Sequence, residues 1–314
     1  MMSKIKFTQE IFLEEINIVL MQKIRKILFR LVQKFNFLFN DKIYLKIIYF
    51  LGMGRKLNLS NPKRFSEKIQ WLKLYNRKSL YTQMVDKVEV KKYVSSAIGT
   101  EYIVPTIKVW DKIDDINVDS LPEKFVLKTT GGGGSCGVVI CRNKSCFDLN
   151  QAKTTLNKSF KDNIYRRYRE WPYKNVSNRI IAEELLDYET LFDYKFFCFN
   201  GVPKYCQVIS GRDEVMSIDF FDKEWNHQNF HEPREYPFAK RTIPKPKNFS
   251  LMLDLAKKLA NGIPFVRIDF YNIEGRIYFG EITFFPTSGL GGFEPDEYDL
   301  KWGELLHLPS EKCI

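Results

Sequence analysis

The chain has 314 residues, 44% of them hydrophobic and 28% charged, with 26 Phe and 16 Tyr. That supply of apolar side chains can bury a large core, as one compound domain or as two to three packed subdomains, and it excludes a disordered tail or linker. Forty-nine Lys and Arg against 38 Asp and Glu leave a formal charge of +11, which favours an anionic partner without choosing among nucleotide, lipid surface, acidic sugar and nucleic acid.

In chain order, residues 1–60 hold eleven Lys/Arg and four Asp/Glu, and so carry +7 of the total. From Leu20 to Leu38 the apolar residues Leu20, Ile24, Ile27, Leu28, Leu31, Phe35 and Leu38 recur at helical spacing, with Lys23, Lys26, Arg30 and Lys34 mostly on the other side. This predicts a basic amphipathic helix, and a second apolar run follows at Ile43–Met53. Residues 1–57 are read as a segment that either lies on an anionic membrane surface or packs as two helices on the body. No stretch reaches the roughly 18 to 20 apolar residues that span a bilayer, and the first twenty residues carry acids and no small-residue cleavage site. The expectation is a cytoplasmic protein, peripheral at the inner face of the membrane if this segment docks there.

Residues 58–120 read as a first α/β subdomain. KRFSEKIQWLKLYNR predicts a helix capped by Ser66, with Phe65, Ile69, Leu72 and Tyr75 in its buried stripe. Asp86–Val94 predicts another helix, and Ile103–Trp110 a strand at a sheet edge because of Pro105.

Residues 121–185 carry the sharper signal. Phe125–Lys128 is a short apolar strand ending in lysine, then comes TTGGGGS, then a returning strand Cys136–Cys141. The predicted hairpin has a tip of exposed backbone N–H groups with no side chains in the way, able to close over phosphates. It is neither a P-loop nor a GxGxxG fingerprint, because the lysine precedes the glycines and no helix follows them.

Residues 186–314 alternate short helices and antiparallel hairpins, which predicts an α+β architecture. In the last hairpin, Arg267-Ile-Asp269 and Glu281-Ile-Thr283 lie on adjacent strands. Alternation puts Arg267 with Asp269 on one face, and Glu281 with Thr283 can share it. Two acids brought together among apolar neighbours call for a divalent cation or a paired arginine, and oxygen-only ligands point to Mg²⁺ or Mn²⁺. The six cysteines lack tight pairs and read as free thiols. His227, His231 and His307 suggest no metal site and no catalytic triad. The positive charge stands ahead of the body instead of tracking across it, which argues against nucleic acid.

Taken as a set, NPKRFSEKIQWLK at 61–73, DKVEVKKYV at 86–94, FVLKTTGGGGS at 125–135, DYKFFCFNGVP at 193–203 and GEITFFPTSG at 280–289 resemble the TupA-like ATP-grasp proteins of bacterial teichuronopeptide and capsular polysaccharide gene clusters. The resemblance covers about residues 58–308 and implies an ATP-grasp fold, with nucleotide held between a glycine-hairpin lid subdomain and a C-terminal antiparallel sheet subdomain. It implies Lys128 at the α- and β-phosphates, Gly131, Gly132, Gly133 and Gly134 closing over the distal phosphates, and Lys87 as a further nucleotide-side lysine. Glu183, Glu184 and Leu185 would meet adenine and ribose, and Lys195 would face phosphate or acyl-phosphate. Asp269 and Glu281 would hold Mg²⁺, and Arg267 would stabilise the transferring phosphoryl. Thr283 stands where many relatives carry Asn. Arg212, Asp213, Lys240 and Arg241 are candidates for an acidic acceptor. The implied activity is ATP-dependent carboxylate–amine ligation through an acyl-phosphate, joining an amino acid or other amine to a uronic-acid-containing sugar or glycan. The alternative is a glycosyltransferase of surface polysaccharide synthesis, for which the chain lacks the expected D-x-D.

Overall fold

The computed structural model describes residues 20–134, 136–186, 192–211, 215–232 and 236–314. The chain begins there with helix α1 (20–34) and continues into α2 (Asp41–Met53). Asn40 caps α2 by accepting from the Ile43 N–H at 3.0 Å, and Gly54, at φ 72°, ends it. Three more helices follow: α3 (Phe65–Tyr75), α4 (Ser79–Val85) and α5 (Val90–Ile98). Ser66 is not the cap of α3. It sits inside the helix, and the Glu67 carboxylate takes the N–H groups of Asn58, Lys63 and Arg64 at the helix start. Ser66 instead gives its N–H and hydroxyl to the fully buried Asp299, at 2.8 and 2.7 Å.

Two antiparallel sheets carry the body. The first has order β1–β4–β2–β3, from β1 (Thr106–Trp110), β2 (Phe125–Thr129), β3 (Val138–Cys141) and β4 (Ile180–Glu184). The strand after Pro105 is thus an edge strand, as its proline requires, and the lid sheet draws it from before residue 120. Helices α6 (Leu149–Lys161) and α7 (Ile164–Tyr168) connect β3 to β4; α6 buries Ala152 and Leu156 against the sheet.

The second sheet has order β10–β9–β5–β6–β7–β8. Its strands are β5 (Asp193–Phe199), β6 (Val202–Ser210), β7 (Ser217–Asp222), β8 (His227–Gln228), β9 (Phe265–Ile273) and β10 (Arg276–Thr283). One face is covered by α8 (Phe249–Leu259), whose Phe249 ring lies 5.8 Å from Phe196. The other is covered at one end by α3 and by α9 (Glu297–Leu305): the fully buried Trp302 lies 5.0 Å from Phe197, 5.4 Å from Phe199 and 5.3 Å from Phe65. The stretch of this face around Lys195 and Arg267 is left to polar side chains.

Candidate active site

The hairpin β9–β10 pairs Glu281 with Asp269 and Thr283 with Arg267, so all four share one face. A register shift at Gly280 makes this possible; a Cβ there would stand 3.2 Å from the Asp269 carbonyl oxygen, so a side chain would crowd the bulge. Lys195, opposite Asp269 on β5, completes the face.

The acids are compensated by cations. Arg267 donates from Nε to Asp269 Oδ1 at 2.7 Å, and from Nη2 to Asp269 Oδ2 and Glu281 Oε1, each at 2.7 Å. Lys195 bonds Asp269 and also Asp193, the latter at 2.9 Å. Thr283 donates its hydroxyl to Glu281 Oε1 at 3.1 Å. Two cations therefore bond three carboxylates directly, a formal balance of one negative charge when all three acids are ionised.

Burial opposes ionisation of these acids, and for Asp269 it prevails, raising its pKa against the fields of Arg267 and Lys195. For Glu281 burial is outweighed by Arg267, then Lys195 and Lys87, and its pKa falls to about 2. Glu281 is the firmly charged and more accessible member, with 36% of its side chain exposed.

Across from this face stands the lid sheet. Lys128 at the end of β2 bonds Glu183 Oε2 at 2.6 Å, and Lys91 from α5 takes Oε1 at 2.5 Å. Burial of Glu183 is overcome by these two lysines, which hold its pKa below the usual carboxylate range. Lys87, one turn ahead of Lys91, donates to the Gly132 carbonyl, and burial lowers its pKa while Glu281 pulls it back up. Lys87 thus connects the field of the carboxylate cluster to the glycine tip.

The tip is a fitted cradle. A Cβ on Gly132 would lie 2.5 Å from Thr129 Oγ1, 2.7 Å from Ser159 Oγ and 3.0 Å from the Cys136 carbonyl; one on Gly131 would meet Asn178 Oδ1 at 2.6 Å. Glycine is required there by close approach, and by a left-handed backbone at Gly134 and Gly137.

The family described as TupA-like ATPgrasp matches residues 67–307. The chain belongs to the TupA-like ATP-grasp family. Its fold is accordingly the ATP-grasp α+β fold, and its class that of the ATP-grasp enzymes. Among solved structures it is similar to the D-alanine–D-alanine ligase of Bacillus anthracis complexed with ATP, at 14% identity, with 64% of this chain and 53% of that chain covered and a TM-score of 0.36. The D-alanine–D-alanine ligase of Helicobacter pylori gives 13% identity, 78% and 70% coverage and a TM-score of 0.41. The N5-carboxyaminoimidazole synthetase of Staphylococcus aureus complexed with ADP gives 15%, 63% and 43%, and 0.36. The chain spans about half the length of the first and third of these. No curated protein matches it.

In this ATP-grasp chain Lys87, Lys128, Gly131–Gly134, Glu183, Lys195, Arg267, Asp269, Glu281 and Thr283 are ordered around two facing sheets. Glu183 and Glu184 diverge: Glu183 is buried between lysines, whereas Glu184 is exposed and its N–H is taken by the Pro105 carbonyl at 3.2 Å. Leu185 is half-buried beside it. Arg212 and Asp213 lie outside the described residues.

Lys240 and Arg241 are exposed in the connection from β8 to α8, next to Ala239, whose N–H binds Asp219 of β7. Asp219 shares the α8 side of the sheet with Phe221 and Phe196, opposite Lys195. This pair, a candidate for an acidic acceptor, therefore lies beside β7, four strands from Glu281 and away from the carboxylate face.

Several residues were missed. Asp193 was legible, since alternation places it two residues before Lys195 on the same face. Lys91 lies one helical turn after Lys87 in the DKVEVKK run. Lys73, Glu170 and Ser288 had no signal, being far apart in sequence. Lys73 is fully buried and donates to the carbonyls of Tyr168 and Ser288 at 3.0 and 2.8 Å, and the Ser288 hydroxyl donates to Glu170 at 2.5 Å. Thr287 and Ser288 are both left-handed, at φ 48° and 56°, so this cluster holds a strained turn four residues after Thr283.

Proposed function

We propose that the chain is an ATP-dependent carboxylate–amine ligase that activates a carboxylate as an acyl-phosphate and passes it to an amine. The observation that carries the reading is the opposition of two charged sets: Arg267, Lys195, Asp269 and Glu281 on the sheet, and Lys87, Lys128 and the glycine cradle on the lid side. A polyphosphate between them would meet lysines on one side and a cation-binding carboxylate on the other.

The donor set fits a small divalent cation such as Mg²⁺ or Mn²⁺: Asp269 and Glu281 carboxylates and the Thr283 hydroxyl are hard oxygens on one face, and the directly bonded cluster has a formal balance of one negative charge when all three acids are ionised. Asp269, Glu281 and Thr283 would hold such a cation, which would supply neutralisation of phosphate oxygens. The rest falls to the chain. Lys128, steadied by Glu183, offers its ammonium to the phosphates, and Lys87 links their charge to the position of the glycine tip. Arg267 turns donors from Asp269 and Glu281 toward the transferring phosphoryl, where negative charge accumulates, and Lys195 stays between Asp193 and Asp269 to fix the face. No protein nucleophile is needed.

In this reading the acceptor is a uronic-acid-containing sugar or glycan, the donor an amino acid or related amine, and the reaction runs on the cytoplasmic side beside the membrane that carries the growing polymer. The test is a coupled ADP-release screen crossing uronic sugars with amino acids, followed by mass analysis. ADP release that needs both partners, with an amide product, supports the ligase; a sugar transferred from an activated sugar donor without cleavage of ATP overturns it.

A further inference from the structure

We propose that α1 docks this protein on an anionic lipid surface, a property independent of the ligase reading. Within α1, Leu20, Met21, Ile24, Ile27, Leu28 and Leu31 are each 40–58% exposed, and Phe37 and Leu38 just beyond it are 74% and 65% exposed. Single exposed apolar residues are ordinary on a protein surface, but six adjacent ones along about three turns are not.

The helix has three sides. At about 100° per residue, Phe29 and Val32 fall on the side that packs against the core of α2 around Tyr44, Leu45 and Ile48. The apolar stripe falls beside them, facing outward. Lys23, Lys26, Arg30 and Lys34, all exposed, form the third side. An apolar stripe bordered by a basic row is the profile of a helix lying in the plane of a bilayer interface. Among the described residues no helix is long and apolar enough to cross a membrane.

The helix is also held in place. Gln33 of α1 donates to the Arg167 carbonyl at 3.4 Å, and just past the end of the helix Arg169 donates to the carbonyls of Asn36 and Phe39 at 2.7 and 3.3 Å. The stripe is thus presented by a fixed element.

Charge selects the occupant. Residues 20–56 contain nine Lys/Arg and one acid, Asp41, which is already bound by Arg77 and Arg169. A second copy packed stripe to stripe would press two such basic rows together, whereas a negative leaflet neutralises them and each Lys or Arg near its surface gains.

The experiment is flotation of the full chain, without nucleotide, on vesicles of phosphatidylcholine alone or mixed with phosphatidylglycerol. The expected result is binding to the anionic vesicles only, lost at about 0.5 M salt. I27Q/L31Q and K26Q/R30Q should each weaken it on the order of tenfold or more, with melting curves unchanged because all four side chains are solvent-exposed. Absence of binding, equal binding to both vesicles, binding only after removal of residues 1–19, or a dimer that I27Q/L31Q dissociates would each overturn the proposal. Because no ATP is present, none of these results depends on the catalytic reading.

Discussion

Lys91 Nζ stands 2.5 Å from Glu183 Oε1, while the other oxygen of the same carboxylate is held by Lys128 at 2.6 Å. The helix that bears Lys91 is thereby fastened to the lid sheet through the same carboxylate that steadies Lys128, the lysine proposed to meet phosphate. Lys91 also donates to the Val104 carbonyl and the Thr106 hydroxyl at 2.8 and 2.6 Å, so it has no donor to spare for a ligand.

Lys91→Gln should therefore lower stability by about 1–3 kcal/mol, because a buried carboxylate loses one of two charged partners. The loss is read from the urea midpoint at neutral pH. The folded pKa of Glu183 lies below its unfolded value, so its contribution is complete above the ordinary carboxylate pKa and fades as pH falls through the lower folded one. The difference between wild type and Lys91→Gln should accordingly shrink in acid; a difference that grew there would contradict the assignment.

Glu281→Gln should leave the fold intact and remove most of the metal dependence of ATP affinity, measured by titration calorimetry with and without Mg²⁺. Glu281 has its pKa at about 2 because Arg267, Lys195 and Lys87 outweigh burial. Its stabilising contribution is present above about pH 4.5 and lost only as pH falls through about 2. Binding that is equally metal-dependent in the variant would remove Glu281 from the cation site.

Arg267→Met should behave differently. It strips Asp269 and Glu281 of their shared partner and leaves buried negative charge, a loss of about 3–5 kcal/mol. The expected readout is a Tm well below that of Glu281→Gln, together with no detectable turnover. A variant as stable as wild type would mean that the carboxylates find another partner.

Gly132→Ala and Gly134→Ala separate fit from strain in the cradle. At Gly132 the added carbon would stand within 3.0 Å of three atoms, one of them a backbone oxygen, so the tip must shift; around Gly134 it meets nothing within 4 Å. Gly134→Ala costs only the left-handed backbone, about 1–2 kcal/mol. The expected order is a larger rise in KM for ATP with Gly132→Ala, and equal effects would argue that the tip is loose.

The local readings survived where the physics is local. Alternation alone put Arg267 with Asp269, but regular pairing from the Asn-Ile-Glu-Gly turn would set Glu281 opposite Ile268, on the other face; the bulge at Gly280 is what brings Glu281 beside Asp269. The run from Phe125 to Cys141 likewise gave its own lid hairpin. Ser66 was misread as a cap because the sequence cannot show that Glu67 takes the free N–H groups while Asp299, 233 residues away, takes the serine.

What the sequence determined by itself is the set of charged and glycine residues that nearest-neighbour geometry can align: strand partners, hairpin tips and the basic face of α1. Tertiary structure decided which of those groups meet. It joined Lys91 to Glu183, set Lys73 and Glu170 around Ser288, and sent Lys240 and Arg241 to the opposite side of the sheet. It also left the apolar stripe of α1 uncovered while burying that of α2, although the two patterns are alike in sequence. The reason is that helical and strand periodicity fix a residue's side within its own element, whereas the partner on that side is chosen by strand order and packing over long chain separations.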